Sequence, residues 1–373
     1  MSFLDQALSH MIEPDNLLVR VESIIDWAPI SELLDSSLGK RSGILIAGTV
    51  PYDYTQMFKA LLIQQWHTLS DPKMEEALRT RIDFMWFTGF GLSSKNFVVP
   101  DETTICRFRS KLSKAKILTK LLKRVNSQLE SNHLKIKSTR GAVLDITLIA
   151  AAVNSNAKPS VIAEDRNEDN NDDSNSGTKS ELKKLSANDQ SDIKLDQDAK
   201  LIKNGKQSIF GYKEFIVTDA KDGYIEHAEI MAANVSEVAN MKTALAEADL
   251  ENIKVIYAHK GYTSVGNSQW LRDKGIGNGI MDKAYRNNPL THKQKQRNKR
   301  ISSSRYIVER TNATIKNIFK FARAKYVGLE RVKNQALLLA VAHNLLKAAN
   351  KISVEIDFYR KVVSKNSIIG LFE

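Results

Sequence analysis

The sequence predicts an α/β protein in which an all-helical N-terminal part leads into a part built of short strands and helices. Three observations carry this. Up to about residue 135 apolar residues recur three and four apart, the period of helices packed on one face. From Gly141 the pattern changes to short apolar runs bounded by turn residues, as strands are. Between and after those runs lie longer segments with helical spacing, which places helices against the sheet. A chain of 373 residues can bury two cores. The expected division is a helical domain over 1–135, a sheet-bearing domain over 136–351 and a short tail over 352–373.

The elements follow in order. Tyr54 to Leu69 sets Met57, Leu61, Gln65 and Leu69 four apart, with Ala60 and Ile63 beside them, an amphipathic helix containing Trp66. Ser70-Asp71-Pro72 then gives a cap and a proline at the first helical position, with Glu75 and Glu76 in the first turn. A third helix starts near Pro100–Thr104 and carries Ile105, Phe108 and Leu112, and another runs from about Lys114 to Leu129. Strands are read at Val143–Ile149, Ile209–Thr218, Tyr224–Met231 and Val255–Ala258, with a short fifth at Gly279–Met281. Asp222-Gly223 is a hairpin signal. Asn234–Leu250, Ser302–Ala322 and Asn334–Lys351 read as helices. Residues 154–200 are acidic and Asn-rich, with few large apolar side chains to offset the entropy of ordering, so an acidic disordered insertion is expected there.

Composition narrows the function. Hydrophobic residues make up 42% of the chain, enough for folded cores, and the formal net charge of +12 favours a polyanionic partner, nucleic acid ahead of membrane. A basic soluble protein without such a partner is the competing reading. The single cysteine, Cys106, excludes an internal disulfide and a Cys-based zinc site and fits a reducing compartment. The first residues lack a basic region followed by an apolar stretch, and the apolar run Ala336–Ala342 is too short to span a bilayer. A cytoplasmic protein with no membrane partner is therefore expected.

The positive charge is concentrated. Thr103 to Leu129 holds eight basic residues and no acid, among them Arg107 and Arg109. Lys283 to Lys333 holds fifteen Lys or Arg against two acids, Glu309 and Glu330, a surplus of +13 that exceeds the charge of the whole chain. Such runs mark a phosphate-binding face, the alternative being solvated helix faces.

Two carboxylates stand out against this basic background. Asp145 lies in the apolar run Ala142–Ile149, where an acid is costly to bury without a partner, cation or hydrogen bond. Glu309 lies on a basic helix with Arg305, Lys316 and Lys320 along one side and Ile307, Ile315, Ile318 and Phe319 toward the core. Metal-dependent phosphodiester cleavage needs carboxylates converging from separate elements on paired cations. Asp145 and Glu309 suit two such positions and point to a metal-dependent DNA nuclease. A buried acid paired with Arg or backbone, and an ordinary surface Glu, are the alternatives. The strand Val255–Ala258 ends at His259, where a third carboxylate would be expected. Asp219 and Asp282 lie at other strand ends, with spacing that does not suggest replacement.

Several segments in order resemble the DDE transposases of the IS-five family of bacterial insertion sequences, from roughly Tyr52 to Lys347. Gln65–Asp71 and Pro100–Arg109 resemble the family's helical leader. Leu144-Asp145-Ile146-Thr147 resembles the strand bearing the first catalytic Asp. Gly205-Lys206 and Phe210-Gly211-Tyr212-Lys213 resemble the entry to the second strand, and Ala232-Ala233-Asn234-Val235 the exit from the third. Ala258-His259-Lys260-Gly261-Tyr262 is similar to Ala-Asp-Lys-Gly-Tyr with histidine for aspartate. Arg305, Glu309 and Lys316 match an Arg-x3-Glu-x6-Lys signature, with Ser302 where a tyrosine is sometimes found.

The resemblance implies a ribonuclease-H-like catalytic core, a mixed sheet flanked by helices, in the second domain and a DNA-end-binding role for the first. It implies catalytic positions Asp145, His259 and Glu309, with Asp145 and Glu309 holding Mg2+ (Mn2+ possible). It also implies DNA contacts by Arg107, Arg109, Lys213, Arg305, Lys316 and Lys320. The partners would be double-stranded DNA, as terminal inverted repeats and target, and further copies of the chain assembled on it. Water would nick the element's ends and the freed 3′ hydroxyl would attack target DNA.

His259 divides the readings. A neutral imidazole brings no negative charge and suits magnesium poorly, manganese or zinc better. It occupies either a substituted ligand position or a structural cap. The alternative function is a DNA-binding protein of transposase descent that cuts nothing. An RNA-directed protein is weakly supported, because no aromatic-rich basic strand is present.

Overall fold

The computed structural model describes residues 11–39, 52–90, 98–136, 141–153, 196–204 and 207–352. Most of the expected acidic insertion, Gly205, Lys206 and the tail beyond Ile352 lie outside the described residues.

Seven helices are described before the sheet, and side-chain caps start several of them. Asn16 caps α1 (Leu17–Ile24), α2 is Ala28–Leu38, and Asp53 caps α3 (Tyr54–Trp66). Ser70 caps α4 (Asp71–Thr80), with Pro72 at its start, as its sequence predicts. α5 (Ile82–Thr88) stops at Gly89, whose φ of 80° is the left-handed conformation that glycine adopts readily. Asp101 caps α6 (Glu102–Ala115), and α7 (Leu118–Ser131) follows.

α3 departs from its predicted amphipathicity: Met57 to Trp66 are all buried, including Lys59, Gln64 and Gln65. Two of its polar groups are matched rather than solvated, while the Thr55 hydroxyl is buried without a partner. Lys59 Nζ lies 2.9 Å from Glu22 and sits over the rings of Trp27 and Phe87. The indole N–H of Trp66 donates to the carbonyl of Ala342 at 2.9 Å.

The sheet is built on β1 (Ala142–Ala150), β2 (Lys200–Asn204), β3 (Gln207–Asp219), β4 (Ile225–Ala232), β5 (Val255–Ala258) and β6 (Gly277–Ile280). The main order is β4-β3-β1-β5-β6. β3 runs antiparallel to β1 and β4, while β1, β5 and β6 are parallel to one another. β2 pairs antiparallel with the start of β3. Gly211 is needed where β3 meets the end of β1, since a Cβ there would run into the Ile149 carbonyl. The predicted hairpin joins β3 to β4, with Gly223 at φ 75°.

α8 (Glu237–Leu245) and α9 (Val265–Asp273) supply Met241, Ala244, Leu245 and Leu271 to a core with Leu144, Phe215 and Val217 on one sheet face. α10 (His292–Asn317) and α11 (Leu329–Ala349) cover the other, and there the apolar cluster is continuous with that of the N-terminal helices. α11 is buried almost all round. Asn344 takes the N–H of Ile225 (2.9 Å) and donates to the Ile225 carbonyl (2.8 Å) and to Asn126 Oδ1 (2.7 Å), which ties α11, α7 and β4 together without an unmet polar group at that junction.

α10 starts ten residues before its predicted start and ends sooner. A Thr291 capping box opens it at His292, and Ile318, predicted for the core, is 51% exposed beyond its end.

His343, beside Asn344, is buried, and burial pushes its pKa down to about 4 against help from the Asn344 hydrogen bond. The unfolded chain takes this proton below about pH 6.5 and the folded chain only near pH 4, so stability is lost as pH falls through that window. Relative to wild type, His343→Gln is expected to remove about 2 kcal/mol of the stability difference between pH 7 and pH 5, measured by urea denaturation.

Candidate active site

Asp145 and His259 are brought together by strand register. β1 and β5 pair in parallel through Leu144↔Ala258, and the next residues on each strand are Asp145 and His259. Their electrostatic coupling agrees with that placement. Asp145 points to the face covered by α10. Arg305 Nη2 donates to its Oδ1 at 2.8 Å, and Asn312 Nδ2 reaches its Oδ2 at 3.4 Å. Burial raises the Asp145 pKa above the ordinary carboxylate value, with Arg305 pulling the other way.

Glu309 lies four residues after Arg305 and three before Asn312, and therefore on the helix stripe that both use to reach Asp145. Its carboxylate is exposed and has no ion pair among the described residues. Burial and Arg305 hold the His259 pKa below its ordinary value, so the imidazole is neutral at neutral pH. His259 is also the N-cap of the turn Lys260–Tyr262, where its Nδ1 accepts the Gly261 N–H at 3.2 Å. In a neutral ring that bond leaves the proton on Nε2.

Four residues that the sequence reading did not single out surround these positions. Glu214 sits on β3 opposite Thr147, on the Asp145 face, 1% exposed, with Oε2 buried and unpartnered. Burial pushes its pKa up to about 8, and nearby Lys316 lowers it only in part. Asn312 Oδ1 and the Tyr262 hydroxyl are likewise buried without a partner. Glu237, at the start of α8, packs over Gly261 beside His259. Strand parity and helix spacing were the available signals for Glu214 and Asn312, but using them required the strand register and the helix's orientation on the sheet.

Asp145 and Glu309 are carboxylates on facing elements, with the lone acceptor Asn312 Oδ1 on the same helix stripe, the donor types a divalent cation takes, but Asp145, His259 and Glu309 do not bring ligand atoms within 4.8 Å of one another. The set fits a pair of ions less well, because position 259 offers a neutral ring already engaged as a cap. Asp219 accepts the N–H groups of Lys221, Asp222 and Tyr224, and Asp282 pairs with Arg297 at 2.9 Å, so neither is an open replacement.

Two of the predicted DNA contacts lie in interior pairs in this structure. Arg109 is buried, pairs with Asp71, donates to Gln64 and stacks on Tyr326, so it fastens α6 to α4 and α3. Lys213 pairs in register with Leu148, which puts it on the sheet face away from Asp145; its Nζ bonds the Val235 carbonyl at 2.8 Å and approaches Glu237 at 3.5 Å. Arg305 is engaged with Asp145, and Lys316 is half-buried near Glu214. Lys320 is exposed but lies past the end of α10, with φ 57°, and is not on the helix stripe. Arg107 is exposed, as are Lys111, Lys114, Lys116, Lys120, Lys123 and Arg124.

The strand order, the Asp on the central strand and the helix-borne Glu across it define a ribonuclease-H-like core with helices at its N-terminus. The model of the Transposase DDE domain matches residues 180–345, downstream of Asp145, and that of the Transposase domain (DUF772) matches 6–111. The transposase for insertion sequence element IS1106 of Neisseria meningitidis serogroup B is 36% identical over 247 residues, 66% of this chain and 78% of the relative. The chain belongs to the insertion-sequence transposases with a DDE domain, a family of DNA-processing enzymes. No solved structure matches it. No helix among the described residues is long and apolar enough to cross a membrane.

Two outcomes check the geometry. Arg109→Ala should cost about 3 kcal/mol in denaturant unfolding by orphaning Asp71, whereas Arg107→Ala should leave stability unchanged and reduce the salt slope of DNA binding by about 1. Glu214→Gln should stabilise the protein at pH 8 and much less at pH 5. The folded carboxyl keeps its proton to about pH 8 while the unfolded one loses it near 4.5, so the stability cost grows as pH rises between them.

Proposed function

We propose that this chain is a transposase of the IS-five group that binds the terminal inverted repeats of its element and performs metal-dependent strand cleavage and strand transfer, with activity lowered by His259. The observation that supports the reading is the strand register that sets Asp145 beside His259, together with the Arg305 and Asn312 contacts that lay the Glu309 stripe of α10 over Asp145. Asp145 and Glu309 hold the divalent ion, magnesium or manganese. When bound, the ion polarises a phosphoryl oxygen and activates water. Arg305 holds the Asp145 carboxylate in place, and exposed cations such as Arg107, Lys293, Lys299 and Arg310 grip the backbone of duplex DNA. Residues 1–135 serve end binding, 136–351 the chemistry, and copies assemble on DNA in the cytoplasm.

A second reading, a DNA-binding protein without cutting activity, is favoured by one observation: Asp145 is already neutralised by Arg305 while His259 is engaged as a cap.

The test is His259→Asp with cleavage of inverted-repeat DNA. The aspartate should raise magnesium-dependent nicking at least about 100-fold, equivalent to about 2.7 kcal/mol of barrier, with wild type showing only weak, manganese-favoured activity. Activity solely in the aspartate variant would establish the binding-only reading for the native chain. If neither protein nicks DNA with either metal, the assignment of this site is wrong.

A further inference from the structure

A second group of potential ligands lies away from Asp145. His227 and Glu229 alternate on β4, and Glu247 follows the end of α8. One ligand atom from each lies within 4.8 Å of the other two. His227 pairs with Val217 in register and so occupies the face opposite Asp145. The distinctive member is this histidine. Its side chain is fully buried, and its Nδ1 has no hydrogen-bond partner. Nε2 makes only a long contact, 3.5 Å to Glu229 Oε2. A buried imidazole left in this way has an unmet polar requirement that a bound cation would meet.

We propose that His227, Glu229 and Glu247 form a zinc-class metal site, separate from the catalytic centre. One imidazole and two carboxylates from two chain segments are the donor types zinc accepts, and Glu247, exposed, leaves the fourth position open to water. Magnesium is a poor match, because it prefers oxygen donors and keeps its water. One surrounding residue fits the assignment and another competes with it. The hydroxyl of Thr119 on α7 donates to Glu247 Oε2 at 3.3 Å, an outer-shell bond that orients a ligand. Lys333 Nζ on α11 sits 2.8 Å from Glu229 Oε2, a tethered single charge where a divalent ion would compete. The site joins β4 and the segment after α8 to α7 and α11, and so clamps the N-terminal helices to the core.

The experiment is equilibrium dialysis of the full chain against zinc, manganese and magnesium separately, with metal content and thermal midpoint read together. An Asp145→Asn/Glu309→Gln background removes carboxylates from the catalytic centre. In that background the chain should bind one zinc and melt at a higher temperature with it, and magnesium should do neither. Adding Glu247→Gln, a change at an exposed residue that the fold tolerates, should weaken zinc binding at least about tenfold, the lower bound for loss of even an outer partner. Adding Lys333→Ala should instead tighten it. Failure of the Asp145→Asn/Glu309→Gln chain to bind zinc would overturn the proposal and leave a buried ion pair. So would a Glu247→Gln variant that binds zinc as well as its parent.

Discussion

The Asp145 carboxylate on the central strand is met by the Arg305 guanidinium, and the placement of α10 depends on that pair. Only Ile301, Val308, Thr311 and Ile315 of its 26 residues are buried, too little apolar surface to fix so basic a helix on the sheet. Polar contacts fix it instead. Arg297 binds the carbonyls of Asn278 and Ile280 at the end of β6, Arg305 binds Asp145, and the Thr311 hydroxyl donates to the Gly223 carbonyl at the β3–β4 turn. Asp145 thereby has a structural partner in the free protein. Any cation taken up there has to compete with a guanidinium, which ties metal affinity to how readily Arg305 can turn to another anion such as a DNA phosphate.

The opposite arrangement governs the N-terminal helices. There the contacts that decide position are apolar, and α11 is the shared partner of both halves of the chain. Trp66, Asn126 and Asn344 within this core are each matched to a specific backbone or amide group, while Trp86 Nε1 and the Thr55 hydroxyl are buried without a partner. Buried hydrogen bonds of this kind contribute modestly to stability but penalise any shift in helix register. The surroundings of Asp145 carry unmatched groups as well. Glu214, Tyr262, Arg305 and Asn312 all carry unpartnered buried atoms around Asp145, and such a concentration is where a bound charged group would restore the balance.

Much of this was legible from residue spacing. Each predicted strand appears within two residues of its expected bounds at either end, because apolar runs bounded by turn residues leave few other choices. β2 was not foreseen, since Lys200–Asn204 borders a polar segment and takes its pairing from β3 rather than from its own pattern. α9 was missed for a similar reason: Leu271 and Asn267 are its buried residues, too few to show a period. At the site, Asp145 and Glu309 could be picked out because an acid in an apolar strand and an acid in a basic helix are each out of place. Arg109 and Lys213 could not be told from surface cations, because their partners, Asp71 and the Val235 carbonyl, are distant in sequence. Motif position locates a residue along the chain, but the direction of its side chain follows from strand parity and from what packs above it.

The histidine at 259 illustrates how folding and chemistry separate at one position. An aspartate at the end of β5 would serve two purposes, capping the following turn with a side-chain oxygen and placing a negative charge beside Asp145. Imidazole Nδ1 keeps the first, accepting the Gly261 N–H, so the turn carrying the buried Tyr262 still forms. It abandons the second, and Arg305 then lies between one anion and one neutral ring rather than between two anions. Loss of that charge removes a repulsion with Asp145 and costs the fold nothing visible in this arrangement. Histidine at this position is therefore compatible with the need to fold, and only chemistry at the site would select against it.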